Sequence, residues 1–246
     1  MRASRARQLR EFQRRLLAWY AVHQRPLPWR RTRDPYKILV SEIMLQQTQV
    51  DRVIPKYRQF LRRYPTVGAL ARARAPELRK LWYPLGYNVR PLRLRRIAQR
   101  AMEEHAGRIP ATYDGLLAME GIGRYTAGAV LSFAFNQDAP IVDTNVARVL
   151  SRYFGLAGRR RPSTRLRAAS RAAVEGRRPP AARRDLWALA QAVIPPGQGY
   201  AINQAMMDLG AMVCAARRPR CPACPLRRSC HSFSLADGPA RRASPG

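Results

Sequence analysis

Hydrophobic residues along this chain recur at intervals of three and four, and strict apolar–polar alternation is scarce. Leu9, Phe12, Leu16, Leu17 and Tyr20 share one helical face, with Glu11 among the arginines. The N-terminal segment therefore reads as an amphipathic first helix and not as an apolar leader. In residues 35–49, Tyr36, Leu39, Val40, Ile43 and Met44 fall on one face, Asp34 stands as the N-cap, and Pro35 takes the first helical position. The same period predicts helices near 51–63, 75–83, 90–106, 124–135, 144–153, 163–175, 184–192 and 199–213. Arg177 to Arg184, rich in Pro and Arg, reads as a loop, and residues 232–246 read as a disordered tail. No internal repeat of fixed period is present, and the pattern predicts an all-α fold.

Charge adds a function class. The 246 residues carry a formal net charge of +31, almost all of it arginine, since the lysines are Lys37, Lys56 and Lys80 alone. Such self-repulsion opposes a compact state unless a polyanion screens it, and nucleic acid is the obvious polyanion. A GC-rich genome would explain arginine over lysine, but not the shortage of acids. No apolar run reaches the roughly 18 residues that a membrane span needs, so no membrane partner is expected and the cytoplasm is the default location.

Cys214, Cys221, Cys224 and Cys230 have the spacing C-x6-C-x2-C-x5-C. Four thiolates in so short a loop can surround one metal centre. A four-cysteine zinc site usually shows two C-x2-C hooks, and here only Cys221 and Cys224 form one, so the spacing favours iron–sulfur over zinc without excluding zinc. Arg217, Arg218, Arg220, Arg227 and Arg228 decorate the loop and can meet phosphates.

Residues 116–130 read LLAMEGIGRYTAGAV, an apolar helix ending at Gly121-Ile122-Gly123 with a second helix beginning at once. Two glycines allow close backbone approach to a phosphate, and the helix N-terminus behind them supplies free N–H groups and a positive dipole. The pattern is a helix-hairpin-helix, which grips the DNA backbone without reading bases. A plain tight turn between packed helices accounts for the glycines equally well.

Two carboxylates stand out. Glu42 is the only acid between Asp34 and Asp51, among Ile38, Leu39 and Leu45. A carboxyl in an apolar site holds its proton near neutral pH and suits a general acid, although a boundary glutamate paired with an arginine fits as well. Asp143 follows Ile141-Val142 and precedes a helix carrying Val146, Val149 and Leu150, so it reads as an N-cap. The same helix N-terminus is expected to keep that carboxylate ionised. One proton donor beside one ionised carboxylate is the pairing used for glycosidic cleavage through an oxocarbenium-like transition state.

Together the segments PLPWRRTRDPYKILVSEIMLQQTQV, LWYPLGYNVR, GIGRYTAGAVLSFAF, IVDTNVARVLSRYFG, NQAMMDLGAMVC and the cysteine loop resemble the helix-hairpin-helix, endonuclease III-like superfamily of base-excision glycosylases. The likeness runs over about residues 25 to 231 and points to the adenine DNA glycosylase branch, with MLQQTQ its most specific signal. The resemblance implies two helical subdomains flanking a cleft: a six-helix barrel over 30–135, and an iron–sulfur domain built from 1–29 plus 136–231. It implies a [4Fe-4S] cluster on the four cysteines. It also implies double-stranded DNA holding a mismatch or an oxidised base as the partner of a monomeric, nucleoid-associated bacterial enzyme, which flips the lesion base out of the stack.

By the same resemblance Glu42 protonates the adenine and later activates water, Asp143 stabilises the oxocarbenium ion, and Asn145 and Tyr125 orient this pair. Gln47 and Tyr87 match wedge positions near the widowed base. Trp29, Arg30 and Leu45 match the adenine pocket, Thr48 belongs to the same DNA-facing segment, and Gly121 and Gly123 match the backbone grip. Bifunctional relatives place a Schiff-base lysine where Tyr125 stands, and a phenol forms no imine, so a monofunctional enzyme without strand-cleaving activity is expected. Thr144 stands where adenine glycosylases mostly carry Gly, and Met119-Glu120 replaces a common Leu-Pro. A chain without the 8-oxoguanine-recognising C-terminal domain of such enzymes is the further expectation. The expected reaction is removal of adenine opposite 8-oxoguanine or guanine. The alternatives are a mismatch thymine or uracil glycosylase (T:G, U:G) and a non-enzymatic DNA-binding module with a redox cluster.

Overall fold

Residues 2–156 and 181–236 are described by the computed structural model, and every regular element within them is helical. In chain order these are α1 (Arg2–His23), α2 (Pro35–Leu45), α3 (Val50–Arg63), α4 (Val67–Ala71), α5 (Ala75–Trp82), α6 (Val89–Glu104), α7 (Tyr113–Leu117), α8 (Arg124–Phe135), α9 (Thr144–Phe154), α10 (Ala181–Ala192), α11 (Gly199–Met212) and α12 (His231–Ala236), with short 3-10 turns at Pro28–Arg31, Cys221–Ala223 and Arg227–Ser229. The all-α expectation holds. Among the described residues no helix is long and apolar enough to cross a membrane.

The chain divides into two units, Pro26–Ala139 and Met1–Arg25 with Pro140–Gly246, so the changeovers fall at 25/26 and 139/140, a few residues outside the expected 30 and 135. The first unit is built around α2. Asp34 caps it by accepting from the backbone N–H groups of Tyr36 and Lys37, and Pro35 starts it. From Ile38 to Met44 every residue is buried, so this helix is enclosed on all sides and not on one face as the period suggested. It packs against α3, α6 and α8. Small residues on α8, Ala127, Gly128 and Ala129, allow the close approach. The unit holds seven α-helices where six were expected; two of them, α4 and α7, are five residues long, each capped by a threonine hydroxyl (Thr66, Thr112).

In the second unit α11 packs on α1 and α9, and α9 receives α10 and α12. Phe12 of α1 lies 5.0 Å from the Tyr153 ring and 5.4 Å from Phe154, and Phe12 and Leu16 are fully buried. The buried Asp208 carboxylate accepts from Arg25 Nε at 2.5 Å and from the Arg25 backbone N–H, fixing the chain where it leaves this unit.

Three boundaries differ from the sequence reading. The loop expected to reach Arg184 gives way at Ala181 to α10. Residues 232–236 belong to α12 instead of a disordered tail, because Phe233 and Ser234 donate to the Cys230 carbonyl and the Ser232 hydroxyl donates to Arg152 O at 3.0 Å. The helix expected at 35–49 stops at Leu45, since Gln47 takes a left-handed conformation (φ 55°). The helix expected at 163–175 and the tail beyond Ala236 lie outside the described residues.

Candidate functional site

Within the first unit, Glu42 is the one carboxyl inside the enclosed α2 and is only 4% exposed. Ser41 beside it spends its hydroxyl on the Ile38 carbonyl at 2.7 Å. Leu45 is half-buried at the end of the helix, Gln47 is exposed on the following turn, and Thr48 donates its hydroxyl to the Gln46 carbonyl at 3.3 Å. Trp29 is buried edge-on to Tyr57 (5.5 Å between rings), with Arg30 half-buried beside it in sequence. Tyr87 is 59% exposed and, like Gln47, left-handed (φ 50°). Both residues thus sit on strained turns with exposed side chains.

The hairpin forms as α7, a turn through Met119–Ile122, and α8. The first helix ends at Leu117, earlier than the glycines, and the buried Ile122 anchors the turn. Gly121 needs its glycine: φ is 86°, and a Cβ there would stand 3.0 Å from the Arg93 side chain. Gly123 is the extended N-cap of α8, exposed, with nothing within 4 Å of where a Cβ would project. The N-terminus of α8 and the exposed Arg124 beside it suit an anion. Tyr125 is half-buried in the first turn of α8.

In the second unit Asp143 caps α9 by accepting from Val146 N–H at 2.7 Å. Asn145 Nδ2 donates to its other oxygen at 3.0 Å, so the structure brings these two predicted residues together. Burial lifts the Asp143 carboxyl above the usual aspartate value, opposed by the Val146 and Asn145 hydrogen bonds and by the Arg148 charge. The helix N-terminus therefore does not by itself hold Asp143 low, as expected from the sequence. Arg148, which the sequence reading missed, donates to Asn145 Oδ1 (2.7 Å), Gly210 O (2.6 Å) and Cys214 O (2.7 Å). Its signal was its place one turn after Asn145 on the same helix face. The carboxylate, its amide partner and the start of the cysteine loop thus form one hydrogen-bonded series.

The four cysteines are half-buried free thiols. Arg152 Nη1 approaches Cys214 Sγ at 3.4 Å and donates to Ala215 O at 2.8 Å. Burial pushes the Cys224 thiol up to about 11, and the other three cysteines push it the same way. Cys230 is also raised by burial, with Cys214 and Cys221 adding to it. Among the described residues no three His, Cys, Asp or Glu side chains are gathered into a group that could hold a metal ion as they stand. The donor chemistry nonetheless suits a soft metal: four thiols feel one another's charge beside arginine and backbone donors, and a metal cation would reverse the cost of their ionisation.

A helical fold in which a buried Glu, a glycine hairpin and a helix-capping Asp follow in this order defines a class. The family model described as HhH-GPD superfamily base excision DNA repair protein matches residues 40–174, more than half of the chain, and the chain belongs to that family. It is similar to the adenine DNA glycosylase of Homo sapiens (40% identical over 230 residues, covering 90% of this chain and 39% of the human protein). It is also similar to the adenine DNA glycosylase of Mycolicibacterium smegmatis (41% over 213 residues, 86% and 66%). Among solved structures, a thermostable thymine-DNA glycosylase superposes with a TM-score of 0.81 at 30% identity, covering 94% of this chain and 99% of that one. The chain spans less than half the length of the human relative it matches.

Proposed function

We propose that this chain is a base-excision DNA glycosylase that hydrolyses the N-glycosidic bond of adenine mispaired with 8-oxoguanine or guanine. The observation that carries the reading is Glu42, an acid 4% exposed within the enclosed Ile38–Met44 stretch of α2, just before the exposed turn of Gln47. In this reading its carboxyl donates a proton to a ring nitrogen of a flipped adenine and makes the base a leaving group. As the sugar becomes an oxocarbenium-like cation, that positive charge favours the ionised form of Asp143, which Val146 N–H and Asn145 hold in place. Glu42, now a carboxylate, accepts a proton from the attacking water. Tyr125 at the hairpin offers no amine, and no lysine follows Lys80, so base removal proceeds without an imine and without strand cleavage.

The exposed hairpin glycines and the arginine surface would hold the DNA backbone of a mismatched or oxidised duplex. Cys214, Cys221, Cys224 and Cys230 would hold a [4Fe-4S] cluster, whose contribution is to staple the Arg-rich loop.

A mismatch thymine glycosylase is the second reading, favoured by one observation: the thymine-DNA glycosylase structure matches this chain over nearly the full length of both. Duplexes carrying A:8-oxoG, A:G, T:G and U:G, incubated with the protein and cleaved afterwards with alkali, decide between the two. Cleavage of the adenine duplexes supports the first reading, and cleavage confined to T:G or U:G replaces it with the second. Glu42→Gln should bind the duplexes and release no base. If wild type also releases none, the chain is a non-enzymatic DNA-binding module.

A further inference from the structure

Arg90, at the start of α6, is 4% exposed, and among the described residues no carboxylate pairs with it. Its charge is met by carbonyl groups instead. Nη1 donates to Ile43 O and Met44 O at 3.1 Å and to Gln46 O at 2.5 Å. Nη2 donates to Thr48 Oγ1 (3.1 Å), Leu85 O (2.9 Å) and Gly86 O (3.1 Å). The first set is the C-terminal end of α2, whose last carbonyls have no partner within the helix and carry its negative dipole end. The second set reaches the turn before α6. The guanidinium also lies over the Trp82 ring (5.5 Å) and the Tyr87 ring (5.2 Å). One buried cation thus joins two turns distant in sequence, and each turn contains a side-chain-bearing residue in the left-handed region, Gln47 and Tyr87. That conformation persists only where the surroundings over-determine it. Only the planar fork of arginine reaches both sets, since an ammonium has fewer donors and no fixed plane.

We propose that Arg90 is a positioning residue: it locks the Ile43–Thr48 and Leu85–Tyr87 turns into one rigid edge that presents Gln47 and Tyr87 together to the base stack of the DNA. The assignment rests on the glycosylase reading above. Arg90 touches neither base nor sugar, and acts by fixing the spacing of two side chains that do.

The test uses the purified full-length protein, as wild type, Arg90→Met and the milder Arg90→Lys. Hydrogen exchange is followed by peptide, and 2-aminopurine is placed next to the mispair as a reporter of unstacking. In Arg90→Met, exchange should accelerate about tenfold or more in residues 43–48 and 85–88 together, with the second unit unchanged. The 2-aminopurine signal should fall by roughly half or more while DNA affinity, dominated by phosphate contacts, changes by less than about threefold. Arg90→Lys should lie between. Faster exchange in one turn alone, in neither, or uniformly along the chain overturns the proposal, as does full unstacking by Arg90→Met. A wild type that leaves every duplex stacked defeats the DNA reading itself, a result distinguishable from failure of the Arg90 assignment.

Discussion

Gly210 on α11 faces Asn145 on α9 so closely that a Cβ there would stand 2.6 Å from Asn145 Cβ and 3.1 Å from its Cα and carbonyl oxygen. Gly210→Ala therefore sets two effects against each other. Helix propensity favours alanine by about 1 kcal/mol. Overpacking against a well-packed neighbour costs roughly 1–3 kcal/mol, occasionally more. Carbon atoms in contact sit at about 3.5–4.0 Å, so the helices must part by roughly 1 Å, and the atoms in the way are backbone and Cβ atoms that no rotamer change can move. The upper end of the range applies, which leaves a net loss of about 2 kcal/mol and a melting temperature lower by roughly 4–8 °C. Activity should suffer far more. Asn145 donates to Asp143, and Arg148 bridges Asn145 to the Gly210 carbonyl itself, so the displacement reaches the carboxylate directly. A misplacement of about 1 Å in a catalytic constellation can cost around a hundredfold. Single-turnover base release at 25 °C, where the variant stays folded, measures that loss, and thermal melting measures the stability. A variant that melts higher than wild type, or that melts lower but releases base at the wild-type rate, refutes the reasoning.

Asp143→Asn keeps the N-cap acceptor but removes the charge. Because burial raises the folded carboxyl above its unfolded value, wild type should lose stability as pH climbs from the ordinary aspartate range through that raised value. The variant should lack this slope and release no base; a slope that persists, or base release at the wild-type rate, counts against the assignment. Purified protein should be yellow-brown with about four iron atoms per chain, and Cys221→Ser should lose most of them, as colour and metal analysis will show; a colourless zinc protein contradicts the cluster. DNA affinity should fall steeply with salt, by about fortyfold for a fourfold rise if only three phosphates are neutralised, and a flat titration contradicts the arginine footprint.

The elements that periodicity can register were legible, and those set by distant contacts were not. Asp34-Pro35 announces the start of α2 by local chemistry alone, and both residues act as read. Its end was misplaced because Gln46-Gln47-Thr48 contains no Gly or Pro to announce the left-handed turn at Gln47, and the carbonyls left open there are taken up by Arg90 from another element. The α4 helix spans barely one turn, too short for a 3.6-residue repeat to show, while α7, read as the first helix of the hairpin, ends at Leu117 short of the glycines. The end of the chain was misread for a related reason: α12 has a polar sequence, yet Ser232 and Cys230 dock on the carbonyl of Arg152 at the end of α9.

The same division runs through the candidate site. Asp143 was readable as a cap from the residues around it, and Asn145 followed only from the resemblance. Arg148 offered only its place one turn after Asn145, easily lost in a chain with dozens of arginines, and Gly210 is a single glycine inside a helix. Their parts emerge from one crossing: Gly210 lets α11 approach α9 closely enough for its carbonyl to accept from Arg148, which in turn holds the Asn145 amide toward Asp143. Glu42 changes in the opposite sense. Read as one apolar face, α2 left it the option of a boundary position; with α2 enclosed from Ile38 to Met44, Glu42 is 4% exposed and its carboxyl is desolvated whatever group it meets there. The burial of Glu42 thus bears more heavily on chemistry than the spacing that first drew attention to it.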